Sequence, residues 1–148
     1  MKPGLLVLVV VLLAATGFGL WRRFTDGRIR GVAPRRDPAS PPHDPTPVLS
    51  AAELGGALGD RATLVQFSTA FCQPCRATRR VLGEVAEQVS GVAHLEIDAE
   101  DHLDLVRRLD VMRTPTIFVL DSTGRVVRRA VGQPRKADVV AALGEAIP

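Results

Sequence analysis

An uninterrupted run of uncharged residues near the N-terminus most constrains how this chain can fold. From Pro3 to Leu20 the sequence has 18 residues without a charge, most of them Leu, Val, Ala or Gly. As a helix rising about 1.5 Å per residue, the run would span roughly 27 Å, close to the thickness of a bilayer core. Trp21 and two arginines follow it, as is typical at a membrane interface. The run predicts a retained single membrane span over residues 3–21. The alternative is a cleaved signal peptide. The sequence matches one poorly, because only Lys2 is basic before the run and the residues near Ala15–Gly17 do not form a good A-x-A cleavage site.

The segment after this run, residues 22–47, is rich in proline and basic side chains. It contains six prolines, separated mainly by Arg, Asp and Gly. Such a composition buries too little apolar surface to fold and favours an extended, semi-rigid chain. We therefore expect a linker that holds the following residues clear of the membrane. Residues 48–148 remain for a single folded domain.

The charge of the chain is unevenly distributed. The whole sequence has a net charge of +3, but residues 1–47 contain seven basic and three acidic side chains, whereas residues 48–148 are close to neutral. A basic excess beside an apolar run suits anionic lipid headgroups rather than nucleic acid. Because positive charge is denser after the run than before it, the positive-inside tendency favours a cytoplasmic position for the domain.

Hydrophobic periodicity in residues 48–148 alternates between helical and strand patterns. Ser50 and Glu53 form a capping box that opens the first short helix. The predicted elements are, in order, a helix to Leu58, a strand Ala62–Ser68, a helix Gln73–Val89, a strand Val92–Ile97, a helix Leu103–Leu109, strands Pro115–Leu120 and Arg125–Val131, and a helix Pro134–Ala146. This order predicts an α/β fold with one β-α-β crossover and a terminal hairpin.

The only two cysteines, Cys72 and Cys75, lie in a C-x-x-C spacing where the first strand ends and the long helix begins. A helix N-terminus presents unpaired N–H groups and a partial positive charge, which stabilise a thiolate at Cys72. Cys75 lies one turn further on, and Pro74 is tolerated in a first helical turn. These features predict a redox-active dithiol. Two alternatives remain: half of a zinc site, for which further ligands would be needed, and a pair of inert buried thiols.

The sequence Phe71-Cys72-Gln73-Pro74-Cys75 resembles the W-C-G-P-C motif of the thioredoxin family, and Arg113-Thr114-Pro115-Thr116 resembles its cis-proline loop. The resemblance extends over residues 48–148. It implies a thioredoxin fold, with a central mixed sheet flanked by helices. It also implies that Cys72 attacks, that Cys75 resolves, and that the Thr114–Pro115 bond is cis. The implied substrate-binding residues are Phe71, Gln73, Pro74, Thr114, Pro115, Val131 and Gly132.

The largest departure from the family pattern is Gln66, six residues before Cys72. Thioredoxins have a buried aspartate there, which is thought to accept the proton of the resolving thiol, and a glutamine cannot act as that base. His94, on the adjacent predicted strand, matches the position of a lysine that partners this aspartate. We hypothesise that His94, directly or through water, takes over proton transfer for Cys75, since imidazole titrates near neutrality. The alternative is an ordinary strand histidine.

The expected activity is reduction of protein disulfides by dithiol exchange, with protein substrates and an unidentified electron donor as partners. We expect a monomer with no cofactor beyond the cysteine pair, no metal site and no nucleic-acid partner. Because membrane-tethered relatives often work outside the cytoplasm, an extracytoplasmic reductant of the cytochrome-maturation type is an alternative. A non-enzymatic adaptor with the same fold is another.

Overall fold

The computed structural model describes the backbone of residues 3–25, 30–31 and 46–147 and the side chains of residues 4–21 and 46–147. Its first element is the helix α1, Pro3–Thr25. The window Gly4–Trp21 has a mean hydropathy of 2.4, and none of it is buried against the rest of the chain. By length and composition this helix can cross a membrane, and a signal sequence would have the same properties.

Apart from a short first strand that was not predicted, the remaining helices and strands follow the order that the sequence predicts. They are the strand β1 (Arg30–Gly31), helix α2 (Ala51–Leu54), strand β2 (Ala62–Ser68), helix α3 (Gln73–Gln88), strand β3 (Val92–Asp98), helix α4 (Leu103–Arg108), strands β4 (Thr116–Asp121) and β5 (Val126–Val131), and helix α5 (Lys136–Ala146). Four of the strands, β2 to β5, form a mixed sheet flanked by helices, as predicted.

The sheet has the order β1-β5-β4-β2-β3. The pair β2–β3 is parallel and is connected through α3, whereas β2–β4 and β4–β5 are antiparallel. This arrangement confirms the predicted β-α-β crossover and the terminal hairpin. The C-terminal end of the central strand β2 consequently leads directly into the segment that carries the cysteines.

Hydrophobic residues cover both faces of the sheet because side chains alternate along each strand. On β2, Leu64 belongs to the cluster beneath α3 and α5, and Phe67 belongs to the cluster beneath α2 and α4. The rings of Phe67 and Phe118 meet edge to face with their centroids 5.8 Å apart. Two cores of this kind fix the sheet between its helices.

Two helix boundaries differ from the predicted ones by more than one residue. The capping box of α2 is present, with the Ser50 hydroxyl accepting from the Glu53 backbone N–H and the Glu53 carboxylate accepting from the Ser50 backbone N–H. The helix nevertheless ends at Leu54, four residues early, because Gly55 adopts the left-handed conformation (φ 66°) that terminates helices. The last helix begins at Lys136, after its N-cap Arg135, rather than at Pro134.

The predicted linker contributes two residues to the sheet. Arg30 pairs with Arg129 and Gly31 with Arg128, in antiparallel register along the outer edge of β5. The sequence analysis did not anticipate this pairing. An open sheet edge accepts a strand through backbone hydrogen bonds, so it requires no apolar side chains from the added segment. The rest of the proline-rich sequence, residues 32–45, lies outside the described residues.

Candidate functional site

The two cysteines form a disulfide at the N-terminus of α3, with their Cα atoms 5.2 Å apart. Cys72 is the N-cap residue of this helix, and its Sγ atom accepts a hydrogen bond from the backbone N–H of Cys75 at 3.2 Å. Pro74 occupies the first turn, where a backbone N–H would have no carbonyl partner within the helix. The predicted junction of strand, cysteine pair and helix is therefore present in the fold.

The two sulfur-bearing residues differ in accessibility. Cys72 is half-buried, whereas Cys75 is only 2% exposed. Another macromolecule can reach Cys72, whereas Cys75 is inaccessible to it. An exchange reaction with an external sulfur would therefore begin at Cys72.

An exposed aromatic ring and a cis-proline loop lie next to the segment that carries the cysteines. The Phe71 side chain is 97% exposed. The Thr114–Pro115 peptide bond is cis, and the hydroxyls of Thr69 and Thr114 lie 3.4 Å apart, which joins this loop to the segment before Cys72. The backbone N–H of Gly132 donates to the Pro115 carbonyl at 2.8 Å. The structure thus brings the Thr114–Pro115 loop next to Gly132 on one side and next to the cysteine segment on the other.

The sequence analysis did not single out Met112, two residues before Thr114, whose side chain is 82% exposed. Gln73 and Pro74 are also exposed, and Val131 is half-buried. An exposed methionine beside a predicted cis-proline loop is the signal that would have identified it, because such a flexible apolar side chain adapts to the surfaces that it binds.

Gln66 lies in the middle of β2 and is fully buried. Its Nε2 atom donates a hydrogen bond to the Cys75 backbone carbonyl at 2.9 Å. The residue that stands in place of the expected aspartate is therefore directly next to Cys75. As an amide it holds the first turn of α3 against the sheet without introducing a charge.

His94 lies opposite Leu64 in the β2–β3 register, on the sheet face that α3 covers. Its Nε2 atom is buried. Burial lowers the pKa of His94 below its ordinary value, the Glu96 carboxylate opposes this effect, and Arg79 adds to it. The imidazole is accordingly favoured in its neutral form.

A solvent-facing cleft of about 280 Å³ opens beside the disulfide. Glu96, a residue that the sequence analysis did not select, lines it together with both cysteines. The Glu96 carboxylate forms a two-pronged ion pair with Arg79, at 2.5 and 2.6 Å, and accepts from the Ser68 hydroxyl at 2.7 Å. Its place two residues after His94 on the same predicted strand, and so on the same face, is the signal that could have revealed it. The full lining comprises Ser68, Thr69, Ala70, Cys72, Cys75, Arg76, Arg79, Glu96 and Asp98.

The pKa of Glu96 reflects two opposing influences. Burial is the largest and works to raise it, but the hydrogen bonds from Arg79 and Ser68 and the charges of Arg79 and His94 together outweigh burial. The pKa of Glu96 consequently lies below its ordinary value, and the group is a carboxylate at neutral pH. Within the described residues, no group of three or more His, Cys, Asp or Glu side chains is arranged to hold a metal ion.

A cystine with one accessible sulfur at a helix N-terminus, beside a cis-proline loop on a mixed sheet, defines a thiol–disulfide oxidoreductase. The thioredoxin family model matches residues 49–145. The chain belongs to the thioredoxin family, whose members are disulfide oxidoreductases.

Individual relatives agree with this assignment. The chain is 32% identical over 89 residues to thioredoxin-2 of Saccharomyces cerevisiae, covering 59% of this chain and 85% of that protein. It is 29% identical over 90 residues to a thioredoxin of Mycobacterium tuberculosis, covering 60% and 77%. Chloroplastic thioredoxin z is 27% identical with a TM-score of 0.53, covering 59% of this chain and 79% of that one. A mutant thioredoxin of Halobacterium salinarum, 22% identical with a TM-score of 0.55, covers 60% and 77% and shows the same fold.

Proposed function

We propose that this protein reduces protein disulfides by dithiol exchange through Cys72 and Cys75. The observation that best supports Cys72 as the attacking sulfur is the hydrogen bond from the Cys75 backbone N–H to the Cys72 Sγ atom at the start of α3. In the reduced protein the same N–H and the positive end of the helix would stabilise a Cys72 thiolate. The accessible cysteine is then the reactive one.

The reaction proceeds in two exchanges. The Cys72 thiolate attacks one sulfur of a substrate disulfide, forms a mixed disulfide and expels the other substrate sulfur as a thiolate. Cys75 then loses its proton and attacks the Cys72 Sγ atom, which re-forms the Cys72–Cys75 disulfide and releases the second substrate sulfur. Two electrons have passed to the substrate, and an electron donor of the dithiol class returns them to the cysteine pair.

The residues next to Cys72 and in the cis-proline loop form the proposed substrate groove. The aromatic face of Phe71 packs against the substrate, and the backbone of Thr114 pairs with an extended peptide segment, as in strand addition. Cis-proline Pro115 holds that backbone next to the sulfurs. Gln73, Pro74, Val131 and Gly132 complete the groove.

Reduction is favoured over oxidation by the residues between the cysteines. A strong oxidant requires a very low Cys72 pKa and a stabilised reduced form, and the Gln73-Pro74 dipeptide provides no histidine that would contribute to either. We expect a reduction potential near the value of about −270 mV that is typical of thioredoxin. No observation favours the cytochrome-maturation alternative or the adaptor alternative, and neither is proposed.

The domain organisation is also a proposal. Residues 3–21 anchor the protein in the membrane as a single span, residues 22–47 link it, and residues 48–148 form the catalytic domain, which acts as a monomer. The uncovered apolar surface of Gly4–Trp21 supports the anchor, and the basic residues after it favour the cytoplasmic side for the domain. A reporter fused at Pro148 would test this side directly, and a periplasmic or extracellular signal would reverse it.

Insulin reduction with the full chain in detergent tests the catalytic proposal. We expect the wild-type protein to accelerate insulin precipitation in the presence of a small dithiol, and Cys72→Ser to abolish the acceleration. Cys75→Ser should also lose turnover but should accumulate a mixed disulfide, because Cys72 remains able to attack. Full activity in Cys72→Ser would show that the cysteine pair is not the catalyst.

A further inference from the structure

Three buried side-chain atoms in the described part of the chain have no hydrogen-bond partner. They are Oε1 of Gln66, Oγ1 of Thr78 and Nε2 of His94. Buried polar atoms in folded proteins are almost always paired with protein or with ordered water. Three such atoms, if they lie close together, would be explained by one shared hydrogen-bond partner.

Gln66 and His94 lie on the same face of the sheet. Side chains alternate along a strand, so Gln66 faces the same side as Leu64, which packs beneath α3. The hydrogen bond from Gln66 to the Cys75 carbonyl confirms that orientation. Because Leu64 lies opposite His94 in the parallel register, His94 is the diagonal neighbour of Gln66 on that face.

Thr78 approaches this face from the helix. It lies three residues after Cys75 on α3, and residues at this spacing share one side of a helix. Both are buried, with Thr78 fully inaccessible and Cys75 2% exposed. A helical threonine commonly donates its hydroxyl to a carbonyl of the preceding turn, but the hydroxyl of Thr78 makes no such bond. Its hydroxyl is therefore available between the helix and the sheet.

We propose that Gln66, Thr78 and His94 bind a water molecule behind Cys75, and that His94 accepts the Cys75 proton through this water when the mixed disulfide is resolved. The inference rests on the proposed function. A buried water typically makes about three hydrogen bonds. An amide oxygen, a hydroxyl and an imidazole nitrogen supply two acceptors and a group that can donate or accept, provided that His94 has its proton on Nδ1.

The proton and the electrons balance in the following way. In the mixed disulfide Cys72 is bonded to the substrate sulfur and Cys75 is a thiol. The Cys75 proton passes to the water, and a water proton passes to Nε2 of His94. The Cys75 thiolate attacks the Cys72 Sγ atom, the bond from Cys72 to the substrate sulfur breaks, and the departing thiolate takes a proton from solvent. The His94 imidazolium then releases its proton to solvent.

Charged groups around His94 suit this role. Glu96 lies two residues along β3 on the same face, and Arg79 reaches it from α3, whereas β2 contributes the uncharged Leu64 and Gln66. Burial lowers the pKa of His94, which keeps the imidazole neutral and able to accept a proton. Glu96 then stabilises the imidazolium that forms. Glu96 itself is a weaker base, because its ion pair with Arg79 helps to hold its pKa below the ordinary value.

The two exchanges can be timed separately when the reduced full-length protein, in detergent, reacts with the disulfide dithionitrobenzoate. Attack by Cys72 releases a first thionitrobenzoate, and attack by Cys75 on the resulting mixed disulfide releases a second. We expect His94→Gln to slow the second release at neutral pH by at least about tenfold, since general base catalysis contributes about 10²–10⁴-fold. The first release should be unchanged. Thr78→Val, which keeps the side-chain shape, should slow the second release in the same direction.

Several controls make the result specific. The slowed second release in His94→Gln should recover as pH rises toward about 9, where a free thiol ionises without a base. The solvent deuterium isotope effect on this release should be present in the wild type and reduced in His94→Gln, which a purely structural defect would not cause. His102→Gln, a change at the exposed N-cap of α4, should match the wild type in both phases.

The outcomes separate this inference from the function beneath it. A second release that is unchanged in His94→Gln across the pH range would overturn the proton path, while insulin reduction would still support the reductase. A second release slowed by Glu96→Gln but not by His94→Gln would assign the proton to the cleft carboxylate and would also overturn it. Failure of the first release in the wild type would instead contradict the proposed function.

Discussion

The Nε2 atom of Gln66 donates a hydrogen bond to the backbone carbonyl of Cys75, at 2.9 Å, and so joins the middle of β2 to the first turn of α3. This contact places an uncharged amide where the family pattern has a carboxyl group. It stabilises the position of Cys75, but it leaves this cysteine without an acidic neighbour on β2. A base that accepts the Cys75 proton in the proposed second exchange would therefore come from an element other than β2.

Restoring a carboxyl group at this position should make stability depend on pH. In Gln66→Asp, burial would raise the folded-state pKa above its unfolded value of about 3.9. The folded state then holds its proton more tightly than the unfolded state, so stability is highest below about pH 4 and falls as pH rises through the folded-state pKa. We expect a loss of about 2–4 kcal/mol across this range relative to Gln66→Asn. Urea unfolding at a series of pH values would measure it, and parallel pH profiles for the two variants would contradict the prediction.

The native protein should show the opposite dependence on the acid side. The pKa of His94 is lowered on folding, mainly by burial, so the unfolded state binds this proton more readily. The contribution of neutral His94 to stability is present above its unfolded pKa of about 6.5 and is lost as pH falls below that value. We expect His94→Gln to flatten the fall in unfolding free energy between about pH 6.5 and pH 5. His102→Gln serves as the control, and an equally steep fall in His94→Gln would show that other groups cause it.

Packing between α3 and the sheet should account for much of the stability of the site. Leu82 is fully buried in the cluster beneath α3 and α5. Leu82→Ala should lower the unfolding free energy by about 2–5 kcal/mol, through lost burial and the cavity left behind. Val140→Ala, at a residue of α5 that is 48% exposed, should change it by no more than about 0.5 kcal/mol. Chemical denaturation compares the two, and equal losses would contradict the assignment of the core.

The exposed aromatic ring beside the cystine should affect substrates rather than stability. Phe71 is 97% exposed, so Phe71→Ala should shift the unfolding free energy by no more than about 0.5 kcal/mol. If the ring packs against protein substrates, its loss should lower kcat/KM for insulin by about tenfold, the equivalent of about 1.4 kcal/mol of apolar contact. The reaction of Cys72 with dithionitrobenzoate should stay unchanged. An equal loss with both substrates would place the effect on the sulfur rather than on the groove.

Most element positions could be predicted because their signals are local. The strand β2 occupies the predicted Ala62–Ser68, and α3 ends one residue before its predicted limit. The early end of α2 depends on the left-handed conformation of Gly55, which a glycine permits but does not require. The pairing of Arg30 with β5 depends on a sheet edge that no local pattern describes.

By itself, the sequence determined the cysteine pair at a strand–helix junction and the alternating order of strands and helices that form the mixed sheet. Both follow from the chemistry of neighbouring residues, which local periodicity records. Only the tertiary structure decided which side chains surround Cys75. The parallel register places Glu96 opposite Gln66 and His94 opposite Leu64, and the packing of α3 brings Thr78 to the same layer. These residues come from three separate elements. The buried unpaired atoms of Gln66, Thr78 and His94 and the ion pair of Glu96 with Arg79 exist only once the helix covers the sheet.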